Sequence, residues 1–383
     1  MMTFLQIVLS EDDGAVSGAE LRNVANLSDL STMAAGETFT IAGLPKSGDN
    51  QRASTVRAVA STDIERLIEK VRQQKPDFVL LEGVALLEVA KAMRLAFPDV
   101  RIITDFHNME SALLAENEVA RLPRLLRFLA PLLARRHVSA SAAADREIAA
   151  LSNLVWTCSD QDEVLVRELT NQIRTAVVPN PIPEWTRNAG EANHQHDDCV
   201  LFVGHLGYAP NKRAVRALCA DIMPLVRAEI PDAYLQVCGR RPNTRLQKQL
   251  AAAGARLAVN PSDLAPFYAL AAATALPLQE GGGTRIKAIE ALSVGCPIVA
   301  TAKAVAGLHL VPGRHYRPAE TPAEFARCLI SLMRDKEATA AMTAEGKSFV
   351  FENFGPVARR QAICNSLRTL FEKTVQDPTT RLS

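Results

Sequence analysis

The sequence lacks most of the features that settle a protein's class at once. Its seven cysteines, Cys158, Cys199, Cys219, Cys238, Cys296, Cys328 and Cys364, are odd in number and form no CxxC pair. That spacing suggests neither a disulfide framework nor a zinc site, and agrees with a reducing compartment. No apolar run reaches the roughly 18 residues of a membrane span, so none is expected. The opening MMTFLQIVLSEDD has no basic stretch ahead of its short apolar run and meets three acids after it, which reads as a first strand and not a signal peptide. A cytoplasmic location follows as the expectation. Charge of one sign is also missing: 43 Lys and Arg oppose 42 Asp and Glu, so no global field attracts nucleic acid and any phosphate affinity has to be local. There is no internal repeat and no low-complexity tract. Nor is there a Gly-x-Gly-x-x-Gly with a following acidic residue, which argues against a dehydrogenase.

What is present is a globular balance, 48% hydrophobic and 22% charged, over 383 residues. That length favours two domains of roughly 150–200 residues. Short β-branched runs alternate with helical patterns: Phe4–Leu9, Thr38–Ile41, Phe78–Leu81, Arg101–Asp105, Leu154–Cys158 and Thr175–Val178, with helices such as Thr62–Gln74 and Leu86–Ala96 between them. Such alternation means βαβ units and a mostly parallel sheet. The rhythm breaks at the polar Thr186–Asp198, just after Pro179-Asn180-Pro181-Ile182-Pro183, a linker composition. It restarts at Cys199–Val203 and continues through Tyr234–Cys238, Arg256–Val259, Ala273–Pro277, Pro297–Thr301 and a short piece at His309–Val311. The expected division is a first domain over 1–183, a linker over 184–198 and a second domain over 199–355. A last helix, about Pro356–Lys373 within 356–383, would pack back on the first domain. Open α/β sheets bind ligands outside the carboxyl ends of their strands, so two such domains would face each other across a cleft.

The strongest chemical signal is Ala275-Leu-Pro-Leu-Gln-Glu-Gly-Gly-Gly-Thr-Arg-Ile-Lys-Ala-Ile-Glu290. A strand ends near Pro277, three glycines Gly281, Gly282 and Gly283 follow, and a helix is expected from near Thr284. Glycines admit a ligand close to the backbone, and the first N–H groups of a helix have no internal partner. Arg285 and Lys287 add charge suited to a diphosphate. Glu290 lies about 9 Å further along the helix axis, a spacing suited to the ribose of the same nucleotide. The plainer reading is a glycine turn with Lys287 and Glu290 as an i,i+3 surface pair.

From Val200 to about Gly355 the chain resembles the C-terminal domain of retaining glycosyltransferases of the family 4, group 1 type. The matching pieces are Phe202-Val-Gly-His-Leu-Gly-Tyr-Ala-Pro-Asn-Lys212, Leu235-Gln-Val-Cys-Gly-Arg240, Ser262-Asp263-Leu264 with Phe267-Tyr268, and Gly281–Thr301. The first half resembles that family more loosely, through Asp105-Phe-His-Asn-Met-Glu-Ser111 and Cys158-Ser159-Asp-Gln-Asp162. The resemblance implies a GT-B fold, two Rossmann-like doubly wound α/β domains across an interdomain cleft. It also implies transfer of a sugar from a UDP- or GDP-sugar to an acceptor hydroxyl, with retention and no required cofactor or metal.

The family usually carries two glutamates separated by seven residues. Glu290 matches the second, which holds ribose; the first falls at Gly282, and Glu280 stands two positions early. Glu280 or loop N–H groups are then the candidates for the donor sugar. His205 stands where an arginine is common and Lys212 about where a lysine is, a basic pair for the leaving diphosphate, while Asn211 could cap the helix there. His107 follows a strand where the family has a histidine near the transferred sugar. Gly18, in the Ser10–Gly18 turn, is a donor-side contact, and Glu110 is a weaker acceptor candidate. The basic, apolar Arg121–Arg136 reads as core helix or as a patch for an anionic membrane bearing a lipid-linked acceptor. Two alternatives stay open: a nucleotide-sugar epimerase of the same fold, which needs no acceptor, and a catalytically silent GT-B protein that only binds nucleotide.

Overall fold

The structure, a computed structural model, describes residues 1–10, 18–44, 55–121, 130–170, 173–188, 198–281 and 285–372, with backbone alone for 120, 121, 130–134, 187 and 188. Its first sheet comprises β1 (Thr3–Ser10), β2 (Ala35–Ala42), β3 (Phe78–Glu82), β4 (Arg101–Phe106), β5 (Leu154–Thr157) and β6 (Thr175–Val177). Its second comprises β7 (Cys199–His205), β8 (Tyr234–Arg240), β9 (Arg256–Val259), β10 (Ala273–Leu276), β11 (Ile298–Ala300) and β12 (Arg317–Pro318). The orders are β2-β1-β3-β4-β5-β6 and β12-β11-β10-β7-β8-β9, and every pairing is parallel.

Strands covered on both faces need apolar residues at every position. β3 meets this with Phe78, Val79, Leu80 and Leu81, all fully buried. Alternate side chains feed opposite cores. Leu5, Ile7, Val79 and Leu81 enter one, while Phe4, Phe78, Leu80, Ile103 and Trp156 enter the other. The second core is closed by the helix Pro356–Phe371, which contributes Ile363, Leu367 and Leu370. Trp156 Nε1 donates to Ser366 Oγ at 3.0 Å, so this helix from the end of the chain completes the first unit. The second unit has its own core, which includes Phe202, Leu276 and Ile289 and also takes in Ile182.

Each order changes direction at one place, between β1 and β3 in the first sheet and between β7 and β10 in the second. Doubly wound sheets bind ligands at that switch point. The loops that follow β7 and β10 are the two segments of the second half that the sequence marked for phosphate chemistry.

The strands lie where the alternating pattern puts them, with ends shifted by at most three residues. One expectation fails: His309–Val311 is not a strand, and the edge strand is Arg317–Pro318. Leu308 and Leu310 are buried by packing in a loop, and His309 sits at φ 55°, outside strand geometry. The described helix ahead of Glu290 runs Ile286–Ser293, and Thr284 lies outside the described residues. The short helix Glu184–Asn188 occupies the start of the polar stretch between the units. Residues 122–129 of the basic apolar stretch lie outside the description. Among the described residues no helix is long and apolar enough to cross a membrane.

Because Ile363 fills the first unit's core from the far end of the chain, Ile363→Ala is expected to cost about 2–5 kcal/mol in urea unfolding. The loss should register in Trp156 fluorescence, a probe of the first sheet.

Candidate active site

The loop after β10 turns through Gly281 at φ 103°, where a Cβ would also lie 3.3 Å from the Tyr208 hydroxyl. The backbone conformation therefore favours glycine, and a side chain there would also press on Tyr208. Gly282, Gly283 and Thr284 lie outside the described residues. Arg285 precedes the first helical residue, Ile286, and its Nη1 donates to the Gly281 carbonyl at 3.0 Å. The helix then sinks Ile286 and Ile289 into the core, which carries Glu290 inward with them.

Glu290 is thus 7% exposed and is not half of a surface pair. Its Oε2 accepts a bond from the Tyr268 hydroxyl at 3.4 Å. Trp185, from the short helix between the units, stacks on Tyr268 with ring centroids 5.6 Å apart. Lys287 turns toward the β7 loop, where its Nζ donates to Asn211 Oδ1 at 3.3 Å. Burial disfavours both charges. It pushes the Glu290 carboxyl up to about 7 and the Lys287 ammonium down to about 8, each opposed by the attraction between them.

His205 ends β7, and the helix Ala209–Ala217 begins four residues on with Pro210 in its first turn. Asn211 therefore lies inside the helix and does not cap it. It is buried, and its Nδ2 donates to the His205 carbonyl at 2.9 Å while its Oδ1 receives Lys287. This one amide ties the two loops at the β7–β10 switch point together. Lys212 sits partly exposed on the same first turn, its N–H bonded to the Tyr208 carbonyl. Its neighbour Arg213 forms an ion pair with Glu280, so the carboxylate nearest the glycine loop is held by a cation of the β7 loop.

On the opposite side, Gly18 is the first residue of the helix Gly18–Ser31, and 11–17 lie outside the described residues. This helix carries a row of buried polar groups toward the ends of β3 and β4. Arg22 grips Asp105 with two bonds, Nε to Oδ2 at 2.6 Å and Nη2 to Oδ1 at 2.8 Å, both residues fully buried. Its Nη1 donates to the Val178 carbonyl at 2.8 Å and to Asn180 Oδ1 at 3.2 Å. Asn26 Nδ2 donates to Asp105 Oδ2 at 2.8 Å and to Glu82 Oε1 at 3.1 Å, and Gln6 Nε2 donates to Glu82 Oε1 at 2.6 Å. His107 completes the row, its Nε2 3.0 Å from Glu82 Oε2 and 3.7 Å from Asp105 Oδ2. Burial works against a charged His107, but Glu82 and Asp105 outweigh it and hold the imidazole above its ordinary range. Burial likewise opposes the Asp105 carboxylate, and Arg22 overrides it, so that its pKa lies below the usual aspartate range.

Glu82, Asp105 and His107 place three potential ligand atoms within 4.8 Å of one another. Arg22, Asn26 and Gln6 already occupy the carboxylate oxygens, so the donor set is spent on the protein's own cations and amides. It serves to hold His107, and does not form an open metal site.

The two units meet across a cleft into which Asn108 and Asp162 project from one side, Arg285 and Lys303 from the other. Lys303 Nζ contacts Glu116 Oε1 at 2.5 Å, and the Tyr208 hydroxyl donates to Asn117 Oδ1 at 3.4 Å. The structure thus places Arg285 and Asn108, the residue that follows His107, on the same cleft. It places Glu290, Lys287 and His205 on one stitched pair of loops, and Gly18 on the helix that supports His107. Sequence reasoning missed Arg22, Asn26, Glu82, Lys303 and Glu116. A signal for one of them existed: Glu82 is the charged end of the otherwise apolar FVLLE strand.

Comparison with known proteins agrees with this geometry. Residues 197–335 match the family model described as Glycosyl transferases group 1. Among solved structures, Anabaena HepE in complex with UDP and glucose superposes with a TM-score of 0.67 at 14% identity, over 96% of this chain and 100% of that one. Sucrose-phosphate synthase from Thermosynechococcus elongatus gives 0.68 at 15% identity, over 97% and 99%. A glycosyltransferase from Rickettsia africae gives 0.63 at 13% identity, over 97% and 99%. No curated protein sequence matches. The fold is GT-B, and the match to the group 1 model lies within its second unit.

Removing one partner of a buried pair leaves the other charge uncompensated, so Arg22→Met is expected to cost about 3–5 kcal/mol in denaturant titration. The pH sign is fixed by Asp105. Because its folded pKa is lowered, its stabilisation is present above the ordinary aspartate range near about pH 4 and is lost as pH falls. The variant should lack that acid-side loss.

Proposed function

We propose that this protein moves a sugar from a nucleoside-diphosphate sugar, with UDP or GDP as the nucleotide, to an acceptor hydroxyl on a glycan, a lipid-linked saccharide or a small molecule, with retention of configuration. The observation that carries the reading is the glycine loop at the β7–β10 switch point, leading through Arg285 into a helix that turns Glu290 inward. In this reading the diphosphate sits at the helix N-terminus beside Arg285, with Lys212 and His205 on the adjoining loop. Glu290 accepts the ribose hydroxyls, and His107 meets the donor sugar from the first unit. The UDP bound by the Anabaena neighbour supports the choice of nucleotide.

The chemistry asked of the protein is electrostatic. A departing diphosphate gathers negative charge, and helix N–H groups with fixed cations stabilise it without reorganising. A cleft closed over the donor excludes the water that would hydrolyse it. No metal is required by this scheme, and the unpaired cysteines suit a reducing, cytoplasmic setting. Glu280, paired with Arg213, or the backbone N–H groups of the loop contact the donor sugar in this reading.

Calorimetry with UDP-glucose and GDP-mannose tests the reading and the base. Loss of a charged hydrogen bond is worth about 1.5–3 kcal/mol, so Glu290→Ala and Arg285→Ala should each weaken binding by about tenfold or more with unchanged circular dichroism. Unaltered affinity in both would sink the assignment. Donor consumption only with an acceptor present separates transfer from epimerisation, and binding with no turnover under any acceptor would identify a silent protein.

A pH titration of the same binding carries a second expectation. Both phosphates of a nucleotide sugar stay ionised through neutrality, so the protein's groups set the profile. Affinity should rise with pH through about 7, as Glu290 ionises, and fall beyond about 8, as Lys287 loses its proton. In Lys287→Met the alkaline fall should vanish.

A further inference from the structure

The helix Pro356–Phe371 does more than cover a core. Arg359 projects from it, 2% exposed, into the row of polar groups that ends at His107. Its Nε donates to Asp29 Oδ2 at 2.9 Å, its Nη2 donates to Asn26 Oδ1 at 2.8 Å, and its Nη1 donates to the Pro179 carbonyl. The bond to Asn26 Oδ1 decides which way that amide faces. With its oxygen taken by a guanidinium, Asn26 must present its NH₂ to the other side, where Glu82 and Asp105 lie at 3.1 and 2.8 Å. An arginine 333 positions further along the chain thereby selects the amide orientation that supports two buried carboxylates. Glu82 in turn holds the His107 ring at Nε2.

Resting on the reading that His107 serves the donor sugar, we propose that Arg359 is a positioning residue for His107, acting through Asn26 and Glu82. The same arginine holds Pro179, and Arg22 holds Val178 and Asn180, on the segment that leads out of the first unit. Both crossings between the units, the chain at 178–180 and the helix Pro356–Phe371, are therefore pinned to the helix Gly18–Ser31 that frames His107. Hinge geometry and the ionisation of His107 belong to one hydrogen-bonded system.

The groups around His107 fix the direction of the expected effect. Glu82 from β3 and Asp105 from its own strand face it with negative charge, and Arg22 from the helix Gly18–Ser31 faces it with positive charge. The Asn23 side-chain amide stands beside it, 3.1 Å from His107 Nε2 and 3.0 Å from Glu82 Oε2, and Cys158 Sγ donates to the His107 carbonyl at 3.4 Å. Asn26 N–H groups offset part of the charge on both carboxylates. Without them more of that charge bears on the imidazolium, so the protonated form is favoured and the titration midpoint rises.

Histidine-ring NMR against pH reads this directly, with His107 assigned by comparison with His107→Gln. Arg359→Lys keeps the charge but not the planar fork that serves Asp29 and Asn26 together, so a change in it reports the bond chain and not a lost field. The expected result is a midpoint raised by about half a pH unit or more, roughly a threefold shift in the protonation equilibrium. Asn26→Ala should raise it likewise, and adding Arg359→Lys to Asn26→Ala should add nothing. An unchanged midpoint in folded Arg359→Lys overturns the proposal; if that variant does not fold, an unchanged midpoint in Asn26→Ala overturns it. UDP-glucose affinity of the wild type, read on the same sample, tests the donor-site reading separately, because the ring titration requires no nucleotide.

Discussion

The first unit's share of the cleft depends on the two-bond contact between Arg22 and Asp105, made where neither residue meets solvent. A lone aspartate at the end of β4 would be strongly disfavoured there, and a lone arginine equally so. Together they permit a polar interior at the ends of β3 and β4, and everything placed on that interior inherits their geometry: Asn26 between the two carboxylates, Glu82 beneath the histidine, and the 178–180 segment drawn in by the remaining guanidinium nitrogen. Apolar residues of equal volume would hold the helix Gly18–Ser31 as firmly. They would not hold an imidazole in a chosen charge state next to a cleft.

The second unit solves a different problem. Lys287 and Glu290 lie within a single turn of helix, both in surroundings that disfavour charge. Desolvation moves Glu290 and Lys287 toward each other, so the charged pair dominates only over a narrow range near neutrality. Asn211 and Tyr268 supply the polar contacts that make this tolerable. The site is thus built from partial compensation, which leaves both groups responsive to a ligand that brings hydroxyls and phosphates of its own.

The parallel sheets were legible because fully covered strands must be apolar throughout, and runs such as Phe78–Leu81 admit little else. The turn at Gly281 after β10 was legible because a strand followed by glycines and then a helical pattern has to reverse the chain there. The edge strand at Arg317–Pro318 was not, since two residues carry no period, while Leu308 and Leu310 imitate a strand from within a loop. Nor was the network around His107. Arg22 and Arg359 look like surface charges in sequence, and only folding brings residues 83 and 333 positions apart into contact. Asn211 was misread for a local reason: Pro210 starts the helix earlier than a capping asparagine would imply.

The helix Pro356–Phe371 means that the units are joined by two covalent straps, one leading out of the first unit and one returning to it. A single tether would let one half-site wander through a sphere set by its length. Two straps anchored to the same helix remove nearly all of that volume. The groups of the second unit then encounter those of the first at an effective concentration fixed by the fold.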